Sequence, residues 1–276
     1  MSPDSKDAKL DTTLDRSADA IRTLVEIMAR LRGPGGCPWD REQTLDSLKP
    51  YLIEEAYEVL EAMDAGDSEA HREELGDLLL QIVFHAEIAR TEGRWDFADV
   101  ARGIADKLVH RHPHVFGETK ASSAAEVEQN WARLKAAEKA KKKGAPASAL
   151  DGVPRQAPAL LRAERTGEKA SRIGFDWPDA SGPRAKIDEE LRELDEAIAR
   201  GDAAAIFHEL GDLLFSVVNL ARHLRTPPED ALRAAIGRFE ERFHRMEDRL
   251  RARGHAPGER VPLEELDALW EEAKRG

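Results

Sequence analysis

The sequence predicts an all-α protein made of two tandem copies of one helical domain, and three observations lead to this prediction. Charged residues make up 35% of the chain, hydrophobic residues 41% and aromatic residues 5%. This mixture, rich in good helix formers, suits helices with solvated outer faces. Runs of β-branched residues and alternating apolar patterns, which would predict strands, are scarce. A carboxylate motif also occurs twice, with matching residues 135 positions apart, as Glu55 and Glu190 are.

The first copy is expected to occupy residues 18–138, after a polar and charged lead-in over residues 1–17 that we expect to be disordered. Apolar residues at helical spacing predict its first helix over residues 18–31. A Gly- and Pro-rich turn that contains Trp39 ends this helix. Further helices are predicted over residues 48–65, 68–92, 97–110 and 123–142.

The second copy is expected over residues 155–276, and it repeats the plan of the first. Residues 139–154 are rich in Lys, Ala, Gly and Pro and are interpreted as a linker. A turn around Trp177 corresponds to the turn around Trp39. Helices are predicted over residues 157–172, 184–200, 203–224, 228–253 and 262–274.

Each copy contains two carboxylate pairs with i, i+3 spacing, which places both members of a pair on one face of a helix. A Gly-Asp step, Gly66–Asp67 or Gly201–Asp202, separates the two pairs. Gly suits the C′ position of a helix and Asp the N-cap, so the step predicts the turn of a helical hairpin. The hairpins would bring together Glu55, Glu58, Glu74 and Asp77 in the first copy, and Glu190, Glu193, Glu209 and Asp212 in the second.

An isolated Glu-x-x-Glu in so charged a chain is usually a solvated helix face, but the helix over residues 203–224 argues against this here. It is apolar around most of its circumference, and its one polar strip consists of Glu209, Asp212, Ser216 and Asn219. Such a helix is expected to be buried, so its carboxylates must be paired or bound to metal. Converging like charges also require cations. The sequence therefore predicts a divalent-metal site, made twice.

The ligand types favour Mg²⁺, with Mn²⁺ as a substitute, because all candidate ligands are carboxylate oxygens. A ferritin-like di-iron site would need Glu-x-x-His motifs, and none of the four candidate ligands Glu55, Glu74, Glu190 and Glu209 has a His three residues on. Mg²⁺ held by a few carboxylates usually completes its shell with water and substrate phosphates.

Phosphates also need cations from the protein, and two basic pairs with i, i+4 spacing are candidates: Lys107/Arg111 and Arg238/Arg242. Ordinary surface pairing is the alternative for both. Trp131 and Trp270 follow these pairs. Each can cap a core or stack on a nucleobase, and the sequence does not separate the two roles.

Composition narrows the partners and the compartment. The formal net charge of -12 argues against nucleic acid as the main partner. The lone cysteine, Cys37, excludes an intramolecular disulfide framework and fits a reducing compartment. The polar lead-in resembles no signal peptide, and we find no apolar run long enough to span a membrane. We expect a soluble, cytoplasmic protein with no membrane partner.

These residues together resemble the MazG-type nucleoside triphosphate pyrophosphohydrolases in their tandem two-domain form. The family pattern E-E-x-x-E followed by E-x-x-D is matched by residues 54–58 with 74–77, and again by 189–193 with 209–212. Residues 36–40, 111–116 and 218–224 also resemble family stretches, and the resemblance covers about residues 18–275.

The resemblance implies an all-α homodimer that uses Mg²⁺ to cleave nucleoside triphosphates between the α- and β-phosphates, giving a monophosphate and pyrophosphate. One carboxylate, Glu189 or Glu193, would orient or deprotonate the attacking water. Metal would be bound by Glu190, Glu193, Glu209 and Asp212, phosphates by Lys186, Arg238 and Arg242, and the nucleoside end by Trp270.

Two differences between the copies near the site lead us to expect that the second copy carries most of the activity. Tyr51 and Phe84 in the first copy stand where the second has Lys186 and Asn219, so the first loses a cation and a polar neighbour. Two other functions stay open: a nucleotide-binding regulator with little turnover, and a helical scaffold whose carboxylates only form ion pairs. The preferred base, the physiological substrate and the dimer interface are not readable from the sequence.

Overall fold

A computed structural model describes residues 3–124 and 148–275, and between these ranges residues 126, 127, 130, 131, 133–135 and 138. The described residues form helices and no strand, which confirms the all-α prediction. The chain divides into two compact units, Met1–Glu138 and Lys139–Gly276. Most of the predicted linker, residues 139–147, lies outside the described residues.

The first unit begins with a helix that is longer than predicted. Helix α1 spans Pro3–Arg32, so the expectation of disorder over residues 1–17 is wrong from Pro3 onward. The polar composition misled the prediction, because extending an existing helix needs no apolar face and only one residue must be fixed for each added hydrogen bond. The other helices of this unit are α2 (Pro38–Glu42), α3 (Lys49–Ala65), α4 (Ser68–Thr91), α5 (Phe97–Arg111) and α6 (Pro113–Phe116).

The predicted helix over residues 123–142 is described only in part. Residues 124, 126, 127, 130, 131, 133–135 and 138 are helical, and the remainder of that range lies outside the described residues, apart from residue 123, which forms a bend. Helix α2 lies in the stretch around Trp39 that we interpreted as a turn, and α6 is a short helix that we did not predict.

The second unit follows the predicted order closely. Its helices are α7 (Ala159–Ser171), α8 (Ser181–Arg200), α9 (Ala203–His223), α10 (Pro228–Ala252) and α11 (Leu263–Ala273). Helix α9 packs against α8 and α7, and α11 packs against α10.

The two helical hairpins form as the Gly-Asp steps predict. Gly66 and Gly201 have positive φ angles, 69° and 66°, which end α3 and α8 in the left-handed conformation. The Asp67 carboxylate accepts hydrogen bonds from the next helix's backbone at 3.0 and 3.1 Å. Asp202 does the same for α9, at 3.1 Å in both cases. These caps fix the register in which the carboxylate helices face each other.

The apolar face of α9 is exposed within this chain, contrary to our expectation that the helix is buried. The side chains that face inward are Ser216, Val218 and Asn219. Phe207 is 76% exposed and Leu214 51% exposed. The second half of the polar strip, Ser216 and Asn219, is buried with Val218, whereas Asp212 in the first half is exposed.

Among the described residues, α9 alone is long and apolar enough to cross a membrane on length and composition, and 17% of its most apolar stretch is buried. We expected no apolar run long enough to span a membrane, and this helix passes that test by length and composition. Other large apolar side chains exposed on α8 and α9 are Leu191, Ile198, Leu210, Phe215 and Val217. A continuous exposed apolar face of this kind is typical of an interaction surface.

Candidate metal centre and its surroundings

The second hairpin brings three of its four predicted ligands together. Glu190 and Glu193 of α8 and Glu209 of α9 each offer a carboxylate oxygen, and these oxygens lie within 4.8 Å of one another. Glu190 is buried, and Glu193 and Glu209 are half-buried. Asp212, one turn after Glu209, is not part of this closest group, but its charge raises the pKa of Glu209.

The first hairpin repeats the arrangement with more solvent around it. Glu55, Glu58 and Glu74 offer oxygens within the same 4.8 Å, with Glu58 exposed. Asp77 again lies outside the closest group, and its charge raises the pKa values of Glu55 and Glu74.

Repulsion between neighbouring carboxylates helps to raise the pKa values of Glu209 and Glu74. The pKa of Glu209 is raised above its ordinary value by desolvation first, and then by the charges of Glu193 and Glu190. Desolvation and the charge of Glu58 likewise raise the pKa of Glu74. Clustered, partly buried carboxylate oxygens that resist ionisation form a set of hard ligands that suits a divalent cation. Either group can therefore hold a metal ion.

The inner carboxylate of each hairpin has a different partner. The Lys186 ammonium lies 2.7 Å from Glu190 Oε1 and 3.0 Å from Glu189 Oε1. The hydrogen bonds to Glu190 and Glu189 hold the pKa of Lys186 above its usual range. In the first copy Gln81 Nε2 donates to Glu55 Oε1 at 3.4 Å, so a neutral amide stands in place of the ammonium.

The predicted phosphate and nucleoside residues of the first copy lie close to one another and to Glu138. The Arg111 guanidinium pairs with Glu138 and lies 5.3 Å from the ring centre of Trp131. The Lys135 ammonium also lies over this ring, at 4.6 Å. Lys107 contributes to lowering the pKa of Glu138. The Trp131 ring is therefore already in contact with two cations of its own unit.

In the second copy, Trp270 belongs to a group of aromatic side chains, and Arg242 lies close enough to influence its neighbour Glu271. Trp270 contacts the ring of Phe239 with 5.0 Å between centroids, and Phe239 stacks on Phe243. Arg242 contributes to lowering the pKa of Glu271, the neighbour of Trp270. No contact described within the second unit joins Arg238, Arg242 or Trp270 to the carboxylates. The assignment of phosphate binding to Arg238 and Arg242, and of nucleoside binding to Trp270, stays a prediction.

One ionic network next to the hairpin was not predicted from the sequence. Asp176 accepts hydrogen bonds from the Arg222 guanidinium, at 2.8 Å from Nη1, and from the Trp177 backbone at 2.9 Å. His223 Nε2 lies 3.1 Å from the same carboxylate. Arg222 Nη2 also reaches Asn219 Oδ1 at 3.5 Å. This network fixes the loop around Trp177 to the end of α9, beside the buried Asn219.

The carboxylates of both hairpins lie in stretches that match a known protein family. The family model of the MazG nucleotide pyrophosphohydrolase domain matches residues 43–116 and again residues 183–246. The chain is 49% identical to the nucleoside triphosphate pyrophosphohydrolase/pyrophosphatase MazG of Thermotoga maritima over 253 residues, 92% of this chain and 95% of that protein.

Two further relatives carry similar names. The nucleoside triphosphate pyrophosphohydrolase of Escherichia coli (strain K12) is 46% identical over 261 residues, 92% of this chain and 97% of that protein. The nucleoside triphosphate pyrophosphohydrolase of Mycolicibacterium smegmatis is 42% identical over 163 residues, 58% of this chain and 48% of that protein. The family resemblance predicted from the motifs is confirmed.

Proposed function

The chain belongs to the MazG nucleotide pyrophosphohydrolase family, and we propose that it hydrolyses nucleoside triphosphates to a nucleoside monophosphate and pyrophosphate. The observation that carries this proposal is the group of carboxylates that converge at each hairpin, together with the names of relatives that match nearly the whole chain. We propose Mg²⁺ as the metal, replaceable by Mn²⁺, and ribo- and deoxyribonucleotides of all bases as substrates. Such an activity suits cleaning of the nucleotide pool or a response to stress.

The metal would be held in the second copy by Glu190, Glu193 and Glu209, with Asp212 close enough to join them. A divalent cation held there would supply charge neutralisation for phosphate oxygens and would lower the pKa of a bound water molecule. Glu189 or Glu193 would accept the proton of the water that attacks the phosphoanhydride link. The bond would break between the attacked phosphorus and the oxygen that bridges the α- and β-phosphates. No covalent intermediate with the protein is required.

Binding of the substrate's charge and base would fall to other residues. Lys186 is close enough to the carboxylates to contact the phosphates they face. Arg238 and Arg242 would bind further phosphate oxygens, and Trp270 the nucleoside, with Asn219 as a polar contact. Lys107, Arg111 and Trp131 would serve the first copy, where their existing contacts with Glu138 and with each other would compete with a ligand.

The second copy is proposed to carry most of the turnover. Its inner carboxylate is buried and has a lysine beside it, whereas the first copy has Tyr51 at the matching position and an exposed Glu58. A more enclosed site strengthens electrostatic interactions with the substrate.

We further propose that the chain forms a homodimer in the cytoplasm through the exposed apolar face of α8 and α9. The face contains Leu191, Leu210, Leu214 and Val217. A bilayer is the poorer partner for α9, because Glu209 and Asp212 lie in the middle of the helix and charge at that depth is expensive. A second copy of the chain would cover the apolar surface and leave the carboxylates accessible from the hairpin.

The test is product identification. Purified protein is incubated with a panel of ribo- and deoxyribonucleoside triphosphates, with Mg²⁺ or with EDTA, and the products are separated by anion-exchange chromatography. The proposal predicts monophosphate and pyrophosphate, formed only with the metal. Diphosphate and orthophosphate would overturn the choice of bond, and binding without turnover would favour the regulatory protein.

A further inference from the structure

The Lys186 ammonium neutralises a carboxylate that a metal ion would otherwise be expected to neutralise. It contacts Glu190 at 2.7 Å and Glu189 at 3.0 Å. The Glu190 side chain is 4% exposed, whereas that of Lys186 is 36% exposed. The carboxylate is therefore fixed in the interior, while the lysine end can turn toward solvent on its flexible stem.

Glu190 needs a positive charge in every state of the site. It is buried and lies within a few ångströms of Glu193 and Glu209, so an unpaired charge here would be strongly destabilising. Another cation near the group, Arg192, lies 3.7 Å from Glu193 but pairs more closely with Glu196, at 3.2 Å, and its side chain is 62% exposed. Lys186 therefore supplies the charge that stabilises the metal-free carboxylates.

In the first copy, the described partner of the inner carboxylate is a neutral amide instead of an ammonium group. Tyr51 stands where Lys186 stands, and the inner carboxylate Glu55 accepts a hydrogen bond from Gln81. Glu55 is less buried than Glu190, so it needs less compensation. A metal that binds the first copy displaces no ammonium group, whereas a metal that binds the second copy must compete with one.

We propose that Lys186 is an exchangeable counter-ion that couples metal binding to phosphate binding in the second copy. It neutralises Glu190 in the metal-free site, and it transfers to a substrate phosphate when a divalent cation takes the carboxylates. This inference rests on the proposed function, since it takes the ligand to be a nucleoside triphosphate. In the absence of phosphate, the metal must then displace the Lys186 ammonium from Glu190. In the presence of phosphate, the ammonium has moved to the phosphate and no longer competes with the metal. Linkage requires each ligand to tighten the other by the same factor.

The experiment measures Mn²⁺ affinity by calorimetry in the whole chain, with Glu58→Gln to weaken the first site. Titrations are run with and without the α,β-methylene analogue of ATP, which cannot be cleaved between the α- and β-phosphates. Without the analogue, we expect the Lys186→Met protein to bind Mn²⁺ at least about fivefold more tightly than the protein with Lys186. The factor by which the analogue increases Mn²⁺ affinity should fall by a similar amount in Lys186→Met. Direct contact of metal with phosphate leaves some tightening in both proteins. Lys186→Arg keeps the charge and should keep the coupling.

A mirror variant provides an independent test if Lys186→Met folds poorly. Tyr51→Lys, made with Glu193→Gln to weaken the second site, should lower Mn²⁺ affinity of the first site and increase its dependence on the analogue. Lys49→Met, which removes an exposed lysine paired with Asp46, is the control and should change neither value.

Unchanged or weaker Mn²⁺ binding in Lys186→Met, or unchanged Mn²⁺ binding in Tyr51→Lys, would overturn the proposal. Turnover of the parent chain is measured separately, so the two failures are distinguishable. Normal turnover with no change in metal affinity overturns the counter-ion role alone. Absence of turnover with the expected change in metal affinity overturns the reaction and leaves the role of Lys186 in metal binding intact.

Discussion

Gly167 of α7 lies against Asn219 of α9 so closely that a Cβ atom at residue 167 would be 2.8 Å from Asn219 Oδ1 and 3.1 Å from Arg222 Nε. The first unit uses the matching helices differently. Met28 of α1 belongs to the same buried apolar cluster as Phe84, the residue that corresponds to Asn219. In the first unit the Phe84 ring lies in that apolar cluster with the Arg32 guanidinium 5.3 Å from its centre, whereas the second unit has a glycine next to a buried amide.

Replacement of Gly167 by alanine should therefore displace the Asn219 side chain. Overpacking of this kind costs about 1–3 kcal/mol, which outweighs the gain of about 1 kcal/mol in helix propensity. We expect a lower melting temperature and a reduced kcat/KM for nucleotide hydrolysis. Gly103→Ala in α5 is the control, because its Cβ would meet nothing within 4 Å, and it should be neutral or stabilising. A Gly167→Ala protein as active and stable as the parent would show that the amide has no fixed role.

Asp176 gives the second unit an acid-sensitive component of stability. Hydrogen bonding from Arg222, the largest cause, lowers the pKa of Asp176 to about 2 from its ordinary 3.8. Because the folded-state pKa is depressed, the stabilisation is complete well above pH 3.8 and is lost as the pH falls toward 2. We estimate about 1–2 kcal/mol, reduced for partial exposure to solvent.

Denaturant unfolding of Asp176→Asn at pH 7 and at pH 3 tests this. The variant should be less stable at pH 7, and the difference from the parent should shrink at pH 3. Asp188→Asn is the matched control, since the Asp188 side chain is 62% exposed in its pair with Arg184 and such pairs contribute little. Equal destabilisation at both pH values would contradict the assignment.

The ionised Glu209 should lower the stability of the metal-free protein and contribute to metal binding. Desolvation and then the charges of Glu193 and Glu190 raise its pKa, so its ionised form destabilises the metal-free protein. That cost grows as the pH rises from about 4.5 through the raised pKa. Glu209→Gln should melt at a higher temperature than the parent at pH 7 in EDTA.

The same variant should respond less to added metal. Linkage stabilises a binding protein by about 2.7 kcal/mol at a ligand concentration of about 100 times Kd. The parent should therefore gain stability with Mg²⁺ or Mn²⁺, and Glu209→Gln should lose most of the gain due to the second site. A melting temperature that falls in EDTA relative to the parent would contradict the repulsion we describe.

Leu214 tests the proposed dimer. It is 51% exposed in the middle of the apolar face of α9, and a carboxylate there would be buried without a partner in a dimer. Leu214→Asp should halve the mass measured by light scattering after size exclusion. Leu263→Asp, at a residue that is 68% exposed at the start of α11, should not. A parent chain that runs as a monomer would refute the dimer, and a dimeric Leu214→Asp protein would place the interface elsewhere.

The hairpins were predictable because their information is local. Gly66 and Asp67 specify the end of one helix and the start of the next, and i, i+3 spacing fixes which carboxylates share a face. The same holds for Gly201 and Asp202. Element boundaries near these caps therefore agree with the sequence within a few residues.

Other features depend on contacts that the sequence does not encode locally. Helical spacing in α9 shows which side of the helix is apolar, but it does not show whether that side packs inside the chain. The exposure of Leu214 shows that this side is not packed inside the chain. Asp176 and Arg222 stand 46 residues apart and meet only after α7 to α9 are packed. Lys186 and Glu190 are the exception, since their i, i+4 spacing already predicts an ion pair.

The most direct test of catalysis by the second hairpin compares turnover of Glu193→Gln and Glu58→Gln with that of the parent chain under Mg²⁺, with products identified. Both glutamines preserve size and remove one ligand charge, one in each hairpin. We predict that Glu193→Gln loses nearly all production of monophosphate and pyrophosphate, and that Glu58→Gln retains most of it. Loss of turnover in Glu58→Gln with full turnover in Glu193→Gln would contradict the assignment of catalysis to the second hairpin.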